Sequence, residues 1–344
     1  MSQKRLDYLD MAKGLGIFFV VLGHIQFIQD TTLRWIFSFH MPLFFVIAGI
    51  LAYEKQEAQQ PEGTVIIKKA KGTLVPYASF SLILLTMSAT GYILQPGSIS
   101  GTELLRQLID SVTGYGIHIL WFLPAYFLSN TYFLRLTKYQ SPMERNLTIL
   151  FQAVLALCIS RALGLTEYIT WETGIFIRAG FNLLIVVLRA ILAQPFLLIG
   201  WYYARWIPKL PSAIQKGACL LWIPGSLLAL KLSVFDLHYL YVKPLHYLAA
   251  SCSCVGILCL MKLLPVSRIL TYLGRNSLVI MCTHAALFVI YYVSLGMFFV
   301  KKFIPMTEPV FNVSVAVLVC AAEVPIIWIF NRYFPYLLGK QPPK

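Results

Sequence analysis

Three polar side chains share one face of the first apolar segment, in the stretch "LDMAKGLGIFFVVLGH". Lys13 and His24 are eleven positions apart, which on an α-helix is three turns plus about 20°, and Asp10 precedes Lys13 by about one turn. Charged and imidazole groups are costly in lipid, so we interpret the three as candidate catalytic residues that line a cavity, with His24 as a base. The alternative is that Lys13 extends to the interface and His24 hydrogen-bonds to a neighbouring helix.

A second histidine falls in the next apolar stretch, "LRWIFSFHMPLFFVIAGIL". If the chain turns near Thr32, His40 follows the turn by the same eight residues by which His24 precedes it, so both imidazoles reach a similar depth. Pro42 would free backbone carbonyls beside them, which membrane helices tolerate where they line protein or water. His40 is therefore a fourth candidate catalytic residue; the alternative is a structural hydrogen-bonding role.

Three lysines lie close together in the segment "KKAKGTLVPY". The ammonium groups of Lys68, Lys69 and Lys71 could hold the phosphates of a nucleotide. The same lysines are also expected if they only mark the cytoplasmic side of a membrane protein.

One arginine lies deep within an apolar segment, "VVLRAILAQPFLLIG". A cation at that depth is by default a functional hypothesis, and we count Arg189 with the lysines as a candidate cofactor-binding residue. The alternative is a purely structural pair with Glu167 or Glu172.

Three more residues are candidates for binding a substrate. His118 and Trp121 are one turn apart near the predicted outer surface, where a Trp is also typical of the interfacial belt. His284 follows Asn276 by eight residues, which is about 12 Å along a helix. Glu323, in "AAEVPIIW", is a buried ionisable residue to which the sequence assigns no role.

The composition identifies the environment in which these residues work. Of the 344 residues 58% are hydrophobic and 12% charged, whereas soluble domains average about 25% charged residues. The chain is therefore predicted to be an integral membrane protein in a lipid bilayer, so its net charge of +14 reflects topology and not nucleic-acid binding. The seven cysteines have no metal-type spacing, and we predict neither a disulfide nor a metal site.

The elements that position the candidates are predicted to be transmembrane helices in an all-α bundle of about ten, forming a single domain over residues 1–344. Placing both termini in the cytoplasm puts most of the 28 Lys and Arg residues on that side. Residues 101–112 are expected to form an amphipathic helix on the outer side. The predicted spans are 11–29, 33–53, 73–95, 117–135, 147–163, 181–204, 217–234, 244–264, 276–299 and 310–331.

Four segments together resemble a known family. In order they are "LDYLDMAKGLGIFFVVLGH", "SFHMPLFFVIAGIL", "HILWFLPAYF" and "YLGRNSLVIMCTHA". They resemble the signature segments of the acyltransferase 3 family, and the resemblance extends from about residue 5 to residue 335. These are multi-pass proteins of bacterial membranes that transfer acyl groups, mostly acetyl from acetyl-CoA, to cell-surface glycans. The resemblance implies a bundle of about ten transmembrane helices in the cytoplasmic membrane, of the type without an added esterase-like domain.

The resemblance also implies roles for particular residues. The family's first helix carries a basic residue, ten others and then a histidine thought to be catalytic, which here are Lys13 and His24. Its basic residues before a Pro-Tyr pair, which bind CoA, fall on Lys68, Lys69 and Lys71. The family often has Arg where this chain has Lys13, which keeps the charge and loses the bidentate geometry.

The sequence therefore predicts an O-acetyltransferase in which acetyl-CoA is the donor substrate, no cofactor is permanently bound, and the acceptor is a hydroxyl of a surface or lipid-linked glycan. A homo-oligomer is compatible with the sequence. One alternative is a transporter or flippase of a lipid-linked sugar, since intramembrane His, Arg and Glu also suit a proton relay. Another is a relative that only binds acyl-CoA. The acyl group, the acceptor and the choice between direct transfer and an acyl-enzyme stay open.

Overall fold

The computed structural model describes residues 6–25, 28–95, 99–165 and 174–341, and no strand occurs within those ranges. The helices that position the candidate residues follow one another with short connections. They are α1 (Asp7–Gly23), α2 (Asp30–Phe37), α3 (His40–Glu54), α4 (Glu62–Leu94), α5 (Gly101–Val112), α6 (Phe122–Tyr139), α7 (Pro142–Ala162), α8 (Ile175–Trp206), α9 (Ser212–Gly217), α10 (Trp222–Lys231), α11 (Pro244–Leu263), α12 (Arg268–Arg275), α13 (Ser277–Thr283), α14 (Val289–Lys301) and α15 (Glu308–Tyr333).

The helices are those of a multi-pass membrane protein, which confirms the predicted fold class. Seven helical segments within the described residues are long and apolar enough to cross a membrane, so the predicted number of about ten spans is approximate. They are Asp30–Glu54, Glu62–Leu94, Pro142–Ala162, Ile175–Lys209, Ser212–Lys231, Pro244–Leu263 and Glu308–Tyr333.

The chain folds into two compact units. The first contains Met1–Lys55, Phe196–Asp236 and Val242–Trp328, and the second contains Gln56–Pro195, Leu237–Tyr241 and Ile329–Lys344. In the first unit α1 packs on α3, α11, α12 and α13. In the second unit α4 packs on α5 and α6.

The second predicted span is broken just before His40. Helix α2 ends at Phe37 and α3 begins at His40, so Thr32 lies inside a helix and not in the expected turn. The break places Pro42 in the first turn of α3, where its missing N–H costs no helical hydrogen bond. Hydropathy alone does not reveal this break because both pieces are apolar.

The ninth predicted span is also broken, directly after a candidate residue. Helix α13 ends at Thr283, His284 follows it, and α14 begins only at Val289. Phe288 takes a left-handed backbone conformation with φ of 58°, and the Ile290 amide donates to the His284 carbonyl at 3.0 Å. These contacts turn the chain sharply within an otherwise apolar stretch.

Two glycines allow α1 and α12 to pack with their backbones in contact. A Cβ on Gly14 would lie 2.0 Å from the Leu270 carbonyl oxygen, and one on Gly274 would lie 1.8 Å from the Asp10 carbonyl oxygen. Small residues permit such close approach between helices in membranes. The contact fixes the N-terminal half of α1, which carries Asp10 and Lys13.

In the second unit α5 is the amphipathic helix expected at residues 101–112. Its N-terminus is capped by Ser100, whose hydroxyl accepts from the Glu103 amide at 3.1 Å. At its other end the Asp110 carboxylate accepts two hydrogen bonds from the Arg178 guanidinium, at 2.7 and 3.0 Å, and one from Asn182 at 2.8 Å. These bonds anchor α5 to the beginning of α8.

Candidate active site

His24 lies at the exact point where α1 ends, because Gly23 is the last helical residue. Its Nδ1 lies 2.7 Å from the Val20 carbonyl oxygen, one of the carbonyls that a helix end leaves without an intrahelical partner. A carbonyl oxygen only accepts, so Nδ1 carries the hydrogen and donates. In the neutral ring Nε2 then keeps its lone pair, which is the form required of a general base.

His284 lies against His24, and we call these two residues the histidine site. Their ring centroids are 5.3 Å apart in an edge-to-face arrangement. The fully buried His284 ring donates from Nδ1 to the Ile280 carbonyl at 2.5 Å. Its Nε2 has no hydrogen-bond partner within the described part of the chain. Buried polar atoms nearly always have a partner, so this nitrogen is suited to accept from a bound hydroxyl.

Like His24 and His284, His40 bonds through Nδ1 to the carbonyl four residues earlier, but its ring contacts an aromatic side chain. Its Nδ1 donates to the Ile36 carbonyl at 2.8 Å, and its ring lies edge-on to Phe37 with centroids 4.8 Å apart. His246 differs in that both of its ring nitrogens are bonded. Nδ1 accepts from the Lys243 amide and Nε2 donates to the Ser233 carbonyl, each at 3.0 Å. Both nitrogens of His246 are therefore used in structural bonds.

The other end of α1 carries a cluster of charges. The carboxylate of Asp10 lies 3.2 Å from the Arg275 Nε and 3.8 Å from the Lys13 Nζ. The Arg275 guanidinium also reaches Asp7, at 3.2 Å. Asp10 is thus an acceptor held between two cations, and it orients Lys13 on the α1 face that carries His24.

Arg189 is fully buried in the second unit, within what we call the arginine cluster: Arg189, Tyr115, Trp121 and His238. Its Nε and Nη2 donate to the His238 carbonyl at 3.0 and 2.7 Å, and its Nη1 donates to the Tyr115 carbonyl at 2.9 Å. The guanidinium carbon lies 4.4 Å from the centre of the Tyr115 ring and 5.1 Å from that of Trp121. The partners first considered, Glu167 and Glu172, lie outside the described residues.

The rings of the arginine cluster also contact one another. Trp121 stacks on His238 with ring centroids 5.2 Å apart, and burial raises the pKa of the Tyr115 phenol. His118 is exposed and has a left-handed backbone conformation, with φ of 49°. Trp121 therefore belongs to a buried aromatic cluster, whereas His118 does not.

The three lysines of α4 differ in their surroundings. Lys69 pairs with Glu57 at 2.8 Å and donates to the Asn130 side chain at 3.2 Å. Lys68 and Lys71 are exposed and so remain accessible to an anion.

The segment after α15 brings a fourth lysine to this region. Gly339 has φ of 64°, and a Cβ there would lie 1.8 Å from the Lys71 carbonyl oxygen. Its neighbour Lys340 is therefore close to Lys71 in space, and its ammonium donates to the Asn331 side chain at 2.7 Å. Local sequence pattern gives no signal for this contact, because residues 71 and 339 are far apart in the chain.

Sequence reasoning also missed Arg275 and His238, which have no partner recognisable from local spacing. Arg275 is 265 positions from Asp10, and His238 is 49 positions from Arg189. Within the described residues no group of three or more His, Cys, Asp or Glu could hold a metal ion.

The comparisons with known proteins give one match. Residues 6–332 match the model of a protein family described as "Acyltransferase domain". No curated protein and no solved structure matches the chain significantly.

Proposed function

We propose that this chain, which belongs to the acyltransferase 3 family, transfers an acetyl group from acetyl-CoA to a hydroxyl of a surface or lipid-linked glycan. The observation that carries the proposal is the histidine site. The half-buried His24 ring is fixed through Nδ1 and keeps Nε2 as an acceptor, and His284 presents a second acceptor nitrogen beside it.

In this mechanism His24 is the general base. Its Nε2 removes the proton of the acceptor hydroxyl as the oxygen attacks the thioester carbonyl carbon. The carbon–sulfur bond breaks, and the CoA thiolate leaves and takes the proton back from His24. An alcohol is a poor nucleophile at neutral pH, so a base within hydrogen-bond reach accelerates the step by about 10²–10⁴-fold. The hydrogen of that hydroxyl goes to His24, so His284 instead accepts at Nε2 from a bound water or from a second hydroxyl of the acceptor, which orients the substrate.

The cationic groups are assigned to the donor. Lys68 and Lys71 are exposed, and the backbone next to Lys340 contacts the backbone of Lys71, so we assign these three lysines to the phosphates of CoA. Lys13, oriented by Asp10, is suited to an anionic or carbonyl oxygen of the donor. The donors of Arg189 already go to backbone carbonyls, so we assign that residue to holding residues 115 and 238 in place.

We place the protein in the bacterial cytoplasmic membrane with both termini in the cytoplasm. Single cysteines at Gln59 and Thr102, in a background without the seven native cysteines, test this orientation with a thiol reagent that does not cross membranes. Labelling of Thr102→Cys alone in intact cells supports it. Labelling of both from the same side contradicts it.

The activity is tested with purified protein and acetyl-CoA labelled in the acetyl group. Release of labelled acetate, or its transfer to extracted lipid-linked oligosaccharide, supports the enzyme. Binding of acetyl-CoA without turnover indicates a relative that only binds the donor. If the protein neither binds acetyl-CoA nor turns it over, the result favours the transporter.

A further inference from the structure

Glu323 is a buried acid for which the transfer mechanism has no use. It lies in α15 and is fully buried, and its Oε2 is 2.6 Å from the Thr283 hydroxyl oxygen. The same hydroxyl oxygen is 2.7 Å from the Val279 carbonyl oxygen. Thr283 thus lies between two oxygens at hydrogen-bond distance.

The number of hydrogens available at Thr283 favours a protonated Glu323. The Thr283 hydroxyl has one hydrogen and two oxygens at hydrogen-bond distance, and we assign that hydrogen to the Val279 carbonyl, which can only accept. The contact between Glu323 and Thr283 then needs a second hydrogen, and only a protonated carboxyl group can supply it. If Glu323 were ionised, one of the two contacts would bring acceptors together with no hydrogen between them.

The surroundings of Glu323 lead to the same conclusion. It forms no ion pair within the described part of the chain, and its Oε1 has no hydrogen-bond partner there. A buried carboxylate without a cation or enough donors is strongly destabilising, whereas a neutral carboxylic acid leaves only one weak acceptor unpaired.

The position of Thr283 connects this bond to the histidine site. Thr283 is the last residue of α13, and the next residue is His284, whose ring lies against His24. We propose that Glu323 is a neutral carboxylic acid that donates to Thr283 and so positions His284 beside His24. The part of this inference that concerns catalysis rests on the proposed function; the protonation of Glu323 does not.

Infrared spectroscopy of the purified protein tests the protonation without any assay of activity. A protonated carboxyl group absorbs at a higher frequency than the amide and carboxylate bands. We expect such a band at neutral pH in the wild type and in the control Glu308→Gln, an exposed acid at the start of the same helix. We expect its loss in Glu323→Gln. An unchanged spectrum in Glu323→Gln would overturn the proposal.

Turnover tests the positioning role. The amide of Glu323→Gln can still donate to Thr283, so kcat should stay within about twofold of wild type, since the bond to Thr283 is kept. Glu323→Ala and Thr283→Val should each lower kcat by roughly 10- to 100-fold with KM for acetyl-CoA unchanged, because His284 is displaced. The double variant should lose no more than either single one, because both remove the same bond.

Two outcomes would contradict this role. A Glu323→Gln variant as inactive as Glu323→Ala, with wild-type thermal stability, would indicate a titrating carboxylate. Independent, multiplying losses in the double variant would show that Glu323 and Thr283 act separately. If the wild type transfers no acetyl group, the proposed function fails, and the infrared result still decides the protonation of Glu323.

Discussion

The imidazoles of the histidine site and the guanidinium of Arg189 differ in how completely their nitrogens are hydrogen-bonded. Arg189 is fully buried, and each of its three guanidinium nitrogens donates to a backbone carbonyl. His24 and His284 each use Nδ1 in one bond to their own helix, and the buried Nε2 of His284 has no partner in the described part of the chain. A fully bonded group is used by the fold, whereas a buried nitrogen without a partner calls for one, such as a water or a ligand.

The same difference exists within the first unit. His246 resembles His284 in being buried, but both of its nitrogens are bonded to the backbone. Chemical type therefore does not separate the two histidines. What separates them is that His284 caps the end of its own helix through one nitrogen and leaves the other for a ligand.

We expect the largest effect on turnover from replacing His24. His24→Ala should lower turnover by about 10²–10⁴-fold while the melting temperature stays near that of wild type, because a base is lost and little packing changes. In the matched control His246→Ala, the melting temperature should fall, since two backbone groups lose their partner. Labelled acetyl transfer and thermal unfolding in detergent measure both quantities. Equal losses of stability in the two variants would contradict the distinction.

Arg189→Lys should have the next largest effect, and it should act on stability. A lysine cannot reach both the His238 and Tyr115 carbonyls, so the free energy of unfolding should fall by about 1–3 kcal/mol. Activity per folded molecule and KM for acetyl-CoA should change little. A raised KM at an unchanged melting temperature would instead assign Arg189 to a phosphate of the donor.

The lysines of α4 should show a smaller effect that depends on salt. Replacing Lys68 and Lys71 together by Ala should raise the Kd for acetyl-CoA several-fold at low ionic strength and less at high ionic strength, because exposed charges are screened. Isothermal titration with Lys216→Ala as a control for general loss of charge measures this. An unchanged Kd at low salt would leave these lysines as markers of topology only.

His40→Ala should have the smallest effect. Its ring bonds to Ile36 and contacts Phe37, so its loss should lower turnover by less than about tenfold. Turnover as low as in His24→Ala, with wild-type stability, would make His40 a third member of the histidine site.

Much of this arrangement is predictable from local pattern. The shared face of Lys13 and His24 follows from helical period, and α5 begins and ends where its amphipathic pattern predicted. Hydropathy predicted the membrane helices because an apolar run long enough to cross the bilayer is typical of a transmembrane helix.

The remainder depends on tertiary contacts and on backbone breaks that hydropathy does not detect. The breaks before His40 and after His284 lie in uniformly apolar stretches, so each was predicted as part of a continuous span. The contact of His24 with His284 and the pairing of Asp10 with Arg275 join residues more than 250 positions apart. Local spacing carries no information about such pairs.

Turnover of the His24→Gln variant tests the central claim most directly. Glutamine keeps a similar size and polarity, and its amide can still donate to the Val20 carbonyl, but it cannot act as a base at neutral pH. The purified variant is compared with wild type for transfer of labelled acetyl from acetyl-CoA, at matched thermal stability. We expect turnover to fall by at least about 10²-fold. Near-normal turnover in His24→Gln would show that His24 is a structural residue and that the base lies elsewhere.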